Sequence, residues 1–157
     1  MLRDILSNFS LETLVYQSFW IIPTTEIFHY TGHLLLFGCI LIFDLRLLGA
    51  GSSISISKLN RLTVPFAACG FALAIVSGSI LFLTGFEHFW GNPALVLKLI
   101  FMLLALVNLA LFHFLLAPQI AGWDCGVPTP WFAKLSGALS LILWTAVISC
   151  GRLIAYY

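Results

Sequence analysis

The chain has 157 residues, of which 61% are hydrophobic and 8% charged, with mean hydropathy +1.08 and formal net charge +1. No water-facing globule of this size sustains that balance, so most of the surface must face lipid. A near-neutral chain without a basic stripe is also a poor nucleic-acid binder, and that class is set aside.

The first 22 residues interrupt an apolar pattern with Arg3, Asp4, Asn8 and Glu12. They contain neither an unbroken hydrophobic region nor a small-residue cleavage site, unlike a signal peptide. Leu2, Ile5, Leu6 and Phe9, then Leu14 and Val15, recur at helical spacing, and Trp20 follows. This predicts an interfacial helix over about 1–22.

About 20 apolar residues carry a helix across the hydrocarbon core, and stretches at about 25–48, 62–86, 93–116 and 131–155 qualify. The expected fold is all-α, a single-domain integral membrane four-helix bundle with an N-terminal interfacial helix. Pro23-Thr24-Thr25-Glu26 reads as the start of the first span, with a hydroxyl cap and an early acid, and Gly49 reads as its end. The second span is expected from near Asn60, with Pro65 in its opening turns, and carries Gly70, Ala74 and Gly78 as a small-residue ridge for close packing. Asn92-Pro93 is a cap and N1 proline for the third span, which should run to Pro118; Pro128-Thr129-Pro130 precedes the fourth.

Arg46, Lys58, Arg61 and Lys134 gather at one end of such a bundle, whereas the opposite end has Asp4, Glu12, Glu26 and Glu87 against Arg3. The positive-inside rule makes the basic end cytoplasmic and both termini external. Trp20, Trp90, Tyr156 and Tyr157 suit the outer aromatic belt, and Trp123 and Trp131 the inner one. Cys39, Cys69, Cys125 and Cys150 show no CxxC spacing and read as small apolar residues.

Ionisable groups inside a membrane are functional candidates. Glu26, His29 and His33, at i, i+3 and i+7, share one helix face within about 60°. His88, Lys98 and Arg152 belong to the same outer end, so residues of all four spans converge on an outer polar cluster. His113 lies roughly 30 Å along its helix and cannot share a ligand with that cluster. Imidazoles on facing segments suit the axial positions of haem b, with Lys98 and Arg152 for its propionates. Glu26, His29, His33 and His88 would equally suit copper or another transition metal. The readings without a cofactor are histidines donating to carbonyls of a neighbouring helix, an interfacial and solvated His88, and snorkelling by Lys98 and Arg152. Asp44 and Arg46 read as markers of the inner end of the first span, and Asn108 as a bridge between helices.

His29, Gly38 and the run Asp44-Leu45-Arg46-Leu47-Leu48-Gly49 resemble the first helix of CopD-like copper-resistance membrane proteins and HemJ-type protoporphyrinogen oxidases. Lys98 and the later His113 are also similar to the HemJ pattern, with longer spacing between them. The DLRLLG run further resembles an uncharacterised bacterial family of four-helix membrane proteins. The HemJ likeness implies haem b on the first-helix histidine, His29. The additional His33 and His88, and the lack of the Pro-Arg pair that closes the HemJ helix, separate this chain from the enzymatic pattern. The resulting expectation is a haem b electron-transfer protein near the outer face, working with other redox subunits or as a homo-oligomer. His29 and His88 are expected as axial ligands, or else His33 with a partner elsewhere. A copper-handling protein or transporter is the rival and a structural anchor the third reading.

Overall fold

The computed structural model describes residues 18–157. The expected interfacial helix over about 1–22 lies outside the described residues except for its last five positions. The described chain is all-helical: α1 (Ile21–Leu48), α2 (Ile56–Thr84), the single turn α3 (Phe86–Phe89), α4 (Pro93–Leu111) and α5 (Trp131–Leu153). A π-helical turn, Phe112–Leu116, and a 3-10 segment, Ala117–Gly122, prolong α4, and a 3-10 turn, Ile154–Tyr156, prolongs α5.

Among the described residues, four helices are long and apolar enough to cross a membrane: Ile21–Leu48, Ile56–Thr84, Pro93–Gly122 and Trp131–Tyr156. Their outward surface is greasy, with Leu34 75% and Phe114 80% exposed, whereas Asp44, Arg46, Ser77 and Asn92 are buried. That inversion of the soluble pattern marks a multi-pass membrane protein.

Local chemistry explains several boundaries. Gly49, at φ 114°, ends α1: its N–H donates to Arg46 O, and the Ala50 N–H to Leu45 O, the paired bonds of a glycine-terminated helix. Asn92 caps α4 by accepting from the Ala94 and Leu95 N–H groups, and its Nδ2 donates to Ile154 O at the end of α5. That last bond fixes the start of α4 to the end of α5.

Two starts differ from expectation. α1 begins at Ile21, so the Pro23-Thr24-Thr25-Glu26 motif lies inside it; Thr25 Oγ1 donates back to Ile21 O instead of capping. α2 begins at Ile56 because Ser55 accepts from the Lys58 N–H. Asp124, from the distant inner loop, accepts from the Ser57 N–H through Oδ1 and from the Ser55 hydroxyl through Oδ2. Pro65 therefore lies in the third turn of α2, where its missing N–H leaves the Arg61 carbonyl without its helical donor.

α1 packs against α2 and α5, and α5 also packs against α4, giving the lateral order α2, α1, α5, α4. The α1–α2 contact is backbone against backbone. A Cβ on Gly70 would lie 2.7 Å from Leu36 N and 2.8 Å from Gly32 O, and one on Gly32 would lie 2.7 Å from Ala74 N. Small residues permit this approach, in which dispersion between main chains replaces the missing hydrophobic drive between helices in lipid. Gly137 plays the same part for α5, lying against Leu47 and Asp44 O. Two apolar clusters complete the core. One, at the basic end, centres on Leu47, Ile56, Phe112 and Trp123; the other, nearer mid-membrane, centres on Leu36, Ala105, Trp144 and Val147.

Arg46 is 2% exposed and binds the loops at the basic end together. Its Nε donates to Ile54 O at 2.7 Å, its Nη2 to Ser52 O and Asp124 O at 3.1 Å each, and its Nη1 reaches Thr129 Oγ1 at 3.5 Å. The planar five-donor fork suits several carbonyls at fixed angles, which a lysine ammonium could not serve together.

Candidate functional site

The histidine site, at the end of the bundle opposite the basic loops, begins with the ridge on α2. Gly78 leaves a hollow that the His29 ring fills: a Cβ there would be 2.7 Å from His29 Cε1. The ring is anchored by Nδ1, 2.9 Å from Ala74 O and 3.2 Å from Ser77 Oγ. A carbonyl oxygen can only accept, so Nδ1 carries the proton. Ser77 fits the same assignment, because its own hydroxyl donates to Leu73 O at 2.6 Å and leaves its lone pairs facing the imidazole. Neutral His29 consequently presents Nε2 as a bare lone pair.

His33 repeats the arrangement within α1. Its Nδ1 lies 2.9 Å from His29 O, so it too donates there and leaves Nε2 unprotonated in the neutral ring. The two imidazoles stand nearly edge to face, with centroids 4.4 Å apart. Lys98 of α4 is close enough for its charge to act on both, and its side chain runs along Gly151 of α5, where a Cβ would lie 3.5 Å from Nζ. The structure thus sets His29 beside His33, with Ser77 and Gly78 of α2 against the His29 ring and Lys98, lying along Gly151, within electrostatic range of both.

The other residues expected in the cluster stand apart from this grouping. Glu26 is exposed one turn before His29. His88 is exposed on α3, its ring 5.3 Å from that of Phe89. Arg152 is also exposed; its Nη2 donates to Tyr156 Oη at 3.0 Å, and its guanidinium lies 5.1 Å from that ring's centroid, so a neighbour one turn along holds the cation. Among the described residues, no three of His, Cys, Asp and Glu come together as a metal-binding group. Glu26, His29, His33 and His88 are therefore not assembled as a four-ligand copper cage.

Sequence reasoning missed Ser77, which orients His29, and read Gly78, which accommodates the ring, only as part of the packing ridge. Their signal was present in the ridge itself: a hydroxyl residue beside a glycine at the level of an intramembrane histidine on the facing helix. Asn108 does bridge helices, donating from Nδ2 to Ser136 O and accepting from the Ser136 hydroxyl, both at 3.1 Å.

The chain matches no protein-family model, and neither a curated protein nor a solved structure is significantly similar to it.

Proposed function

We propose that this protein binds haem b near the outer face of a bacterial inner membrane and passes electrons there, as part of a larger redox complex. The observation that carries the reading is the Nδ1-to-carbonyl bond of His29, which leaves Nε2 as the ligating atom. Histidines that hold a metal characteristically donate their other ring nitrogen to a carbonyl or carboxylate, which fixes the tautomer and the ring plane. The same bond satisfies an imidazole with purely structural duties, so the free Nε2 and the adjacent Lys98 carry the distinction. Iron held by imidazole exchanges one electron between its ferric and ferrous states.

His29 supplies one axial nitrogen. His33, on the same helix and one turn away, cannot reach the opposite face of the same ring system, so the second ligand comes from another segment. His88, exposed on α3, is the candidate within the chain. Lys98 offers a cation to a propionate. The resemblance of His29 and the DLRLLG run to CopD-like and HemJ-type proteins points to the same histidine. A copper cage is less well supported because its four groups are dispersed. Both termini are external in this reading, on the strength of Arg46, Lys58, Arg61 and Lys134 at the opposite end.

The visible spectrum of protein purified from haem-replete cells tests the proposal. A Soret band with sharp reduced α and β bands is expected, lost or at least halved in His29→Ala while membrane insertion persists. His33→Ala should retain the haem, and His88→Ala should shift the spectrum from six- to five-coordinate iron. A colourless wild-type protein overturns the proposal, and stoichiometric copper in that protein would establish the rival. Full haem content in His29→Ala with loss in His33→Ala would move the ligand by one turn.

A further inference from the structure

A second polar site lies in the half of the bundle nearer the basic end, away from the histidine pair. Among the described residues, four buried side-chain polar atoms have no hydrogen-bond partner: Asp44 Oδ2, Asn60 Oδ1, His113 Nδ1 and Trp123 Nε1. The first three belong to residues of α1, α2 and the π-helical turn after α4, and all three residues line one cavity of about 410 Å³. Asp44 is only 5% exposed, so water reaching it from outside cannot routinely compensate its orphan oxygen. An unpaired buried polar atom costs about 1–3 kcal/mol, and three in one hollow amount to an unfilled requirement for a polar ligand.

Thr63, Asn108, Ser136 and Ser140 also line the cavity, but most of its wall is apolar, with Leu36, Ile40, Phe43, Phe71 and Trp144. It reaches the flank of the bundle between α2 and α4, where Val64 and Ala68 on one side and Leu109 and Ala110 on the other are exposed. Because α2 packs on α1 and α4 packs on α5, no closely packed helix pair shuts that flank. Access is therefore from the bilayer rather than from water. The π-helical turn Phe112–Leu116 contributes His113 to the cavity. Such turns displace side chains from regular helical register and recur at functional sites. Pro118, which lacks an N–H, explains the departure from α-helical bonding.

We propose that this cavity binds a lipid-soluble molecule with a hydroxyl-bearing aromatic head, of the quinol class, entering between α2 and α4. Asn60 Oδ1 accepts, Asp44 Oδ2 accepts as the carboxylate and donates once protonated, and His113 Nδ1 serves either role according to its tautomer, so the occupant must bring at least one donor and a second group able to donate or accept. A ring bearing two hydroxyls supplies two donors from one rigid body, and its flat face suits Phe43, Phe71 and Trp144. An acyl chain would fill the volume and leave all three polar atoms unpaired. The cavity volume lies within the range of roughly 300–1,000 Å³ typical of small-molecule sites. The inference is independent of haem at the outer pair.

The test is anaerobic titration of decylubiquinol into the full chain in phosphatidylcholine nanodiscs, read by tryptophan fluorescence, since Trp144 lines the cavity. Saturable quenching is expected, greatly reduced in Trp144→Phe. Decylubiquinone, which lacks the hydroxyl donors, should bind about tenfold more weakly, and Asp44→Ala, which removes both carboxyl oxygens, should weaken the quinol about tenfold, equivalent to one hydrogen bond. Ala67→Leu, which fills the cavity without touching a polar group, should abolish saturation and decides the matter if Asp44→Ala does not fold. Quenching that rises linearly with ligand, quinone binding as tightly as quinol, or wild-type binding in Ala67→Leu would each overturn the proposal.

Discussion

Gly70→Ala puts the α1–α2 contact to a quantitative test. The added Cβ would stand 2.7 Å from Leu36 N, against an ordinary contact of 3.4 Å or more, and both clashing groups are main chain that no rotamer change can move. The helices must part locally by about 0.7 Å. Transmitted to the next turn, that displacement stretches the 2.9 Å bond from His29 to Ala74 O to about 3.6 Å, beyond hydrogen-bonding range. Overpacking of this kind costs about 1–3 kcal/mol and the lost bond about 1 more, while the alanine recovers up to about 1 kcal/mol of helix propensity. The net loss of about 1–3 kcal/mol corresponds to a fall in Tm of roughly 2–12 °C. Gly38→Ala is the control, because a Cβ there has nothing within 4 Å and only the propensity gain remains. Thermal melts of both variants in one detergent, followed by size-exclusion fluorescence, give the comparison. Gly70→Ala melting with the wild type, or Gly38→Ala melting below it, would refute the backbone-contact argument.

Asp124 receives the Ser57 N–H and the Ser55 hydroxyl, and the N–H bond foremost holds its carboxyl below the ordinary 3.8. Its stabilisation of α2 is therefore complete above about pH 3.8 and is lost as pH falls through the lower folded value. Asp124→Asn should cost about 0.5–2 kcal/mol at neutral pH, with the gap to wild type closing on acidification; a gap independent of pH contradicts the assignment. Haem content should be unchanged in this variant and in Cys125→Ser, because both residues belong to the opposite end from the histidine pair. Arg46→Lys should loosen both inner loops at a cost of at least about 2 kcal/mol. Faster maleimide labelling of Cys125, whose thiol now donates to Ser53 O, is the readout, and an unchanged rate would show that Arg46 is not the clamp.

What was legible in the sequence was local or periodic. Gly49 and Asn92-Pro93 announce helix ends because their effects are confined to one turn. The Gly70, Ala74 and Gly78 spacing announces close packing because it repeats once per turn on one face. The start of α2 was not legible, since the acid that helps to cap it is Asp124, 67 positions from Ser57. Helical spacing placed His29 and His33 on one face, but it could not show that Arg152 would be held by Tyr156, four residues along its own chain. Asp44 and Arg46 have the composition of any polar helix end. Only packing reveals that both are buried and that one serves the loops while the other faces a cavity. The depth of His113 separated it from the outer histidines, yet its association with Asn60 and Asp44 depends on a π-helical turn without a sequence signature.

The Arg46 clamp also bears on how the chain is made. The carbonyls of Ser52 and Ile54 emerge from the ribosome within eight residues of Arg46, but Asp124 and Thr129 follow 78 and 83 residues later. During most of synthesis the guanidinium is thus only partly satisfied, at the edge of a newly inserted hairpin of α1 and α2. Arrival of the 123–130 loop both completes its bonds and supplies the carboxylate that helps to cap α2. The connection between α1 and α2 is thus finished only after α4 has been made, when α5 is about to follow.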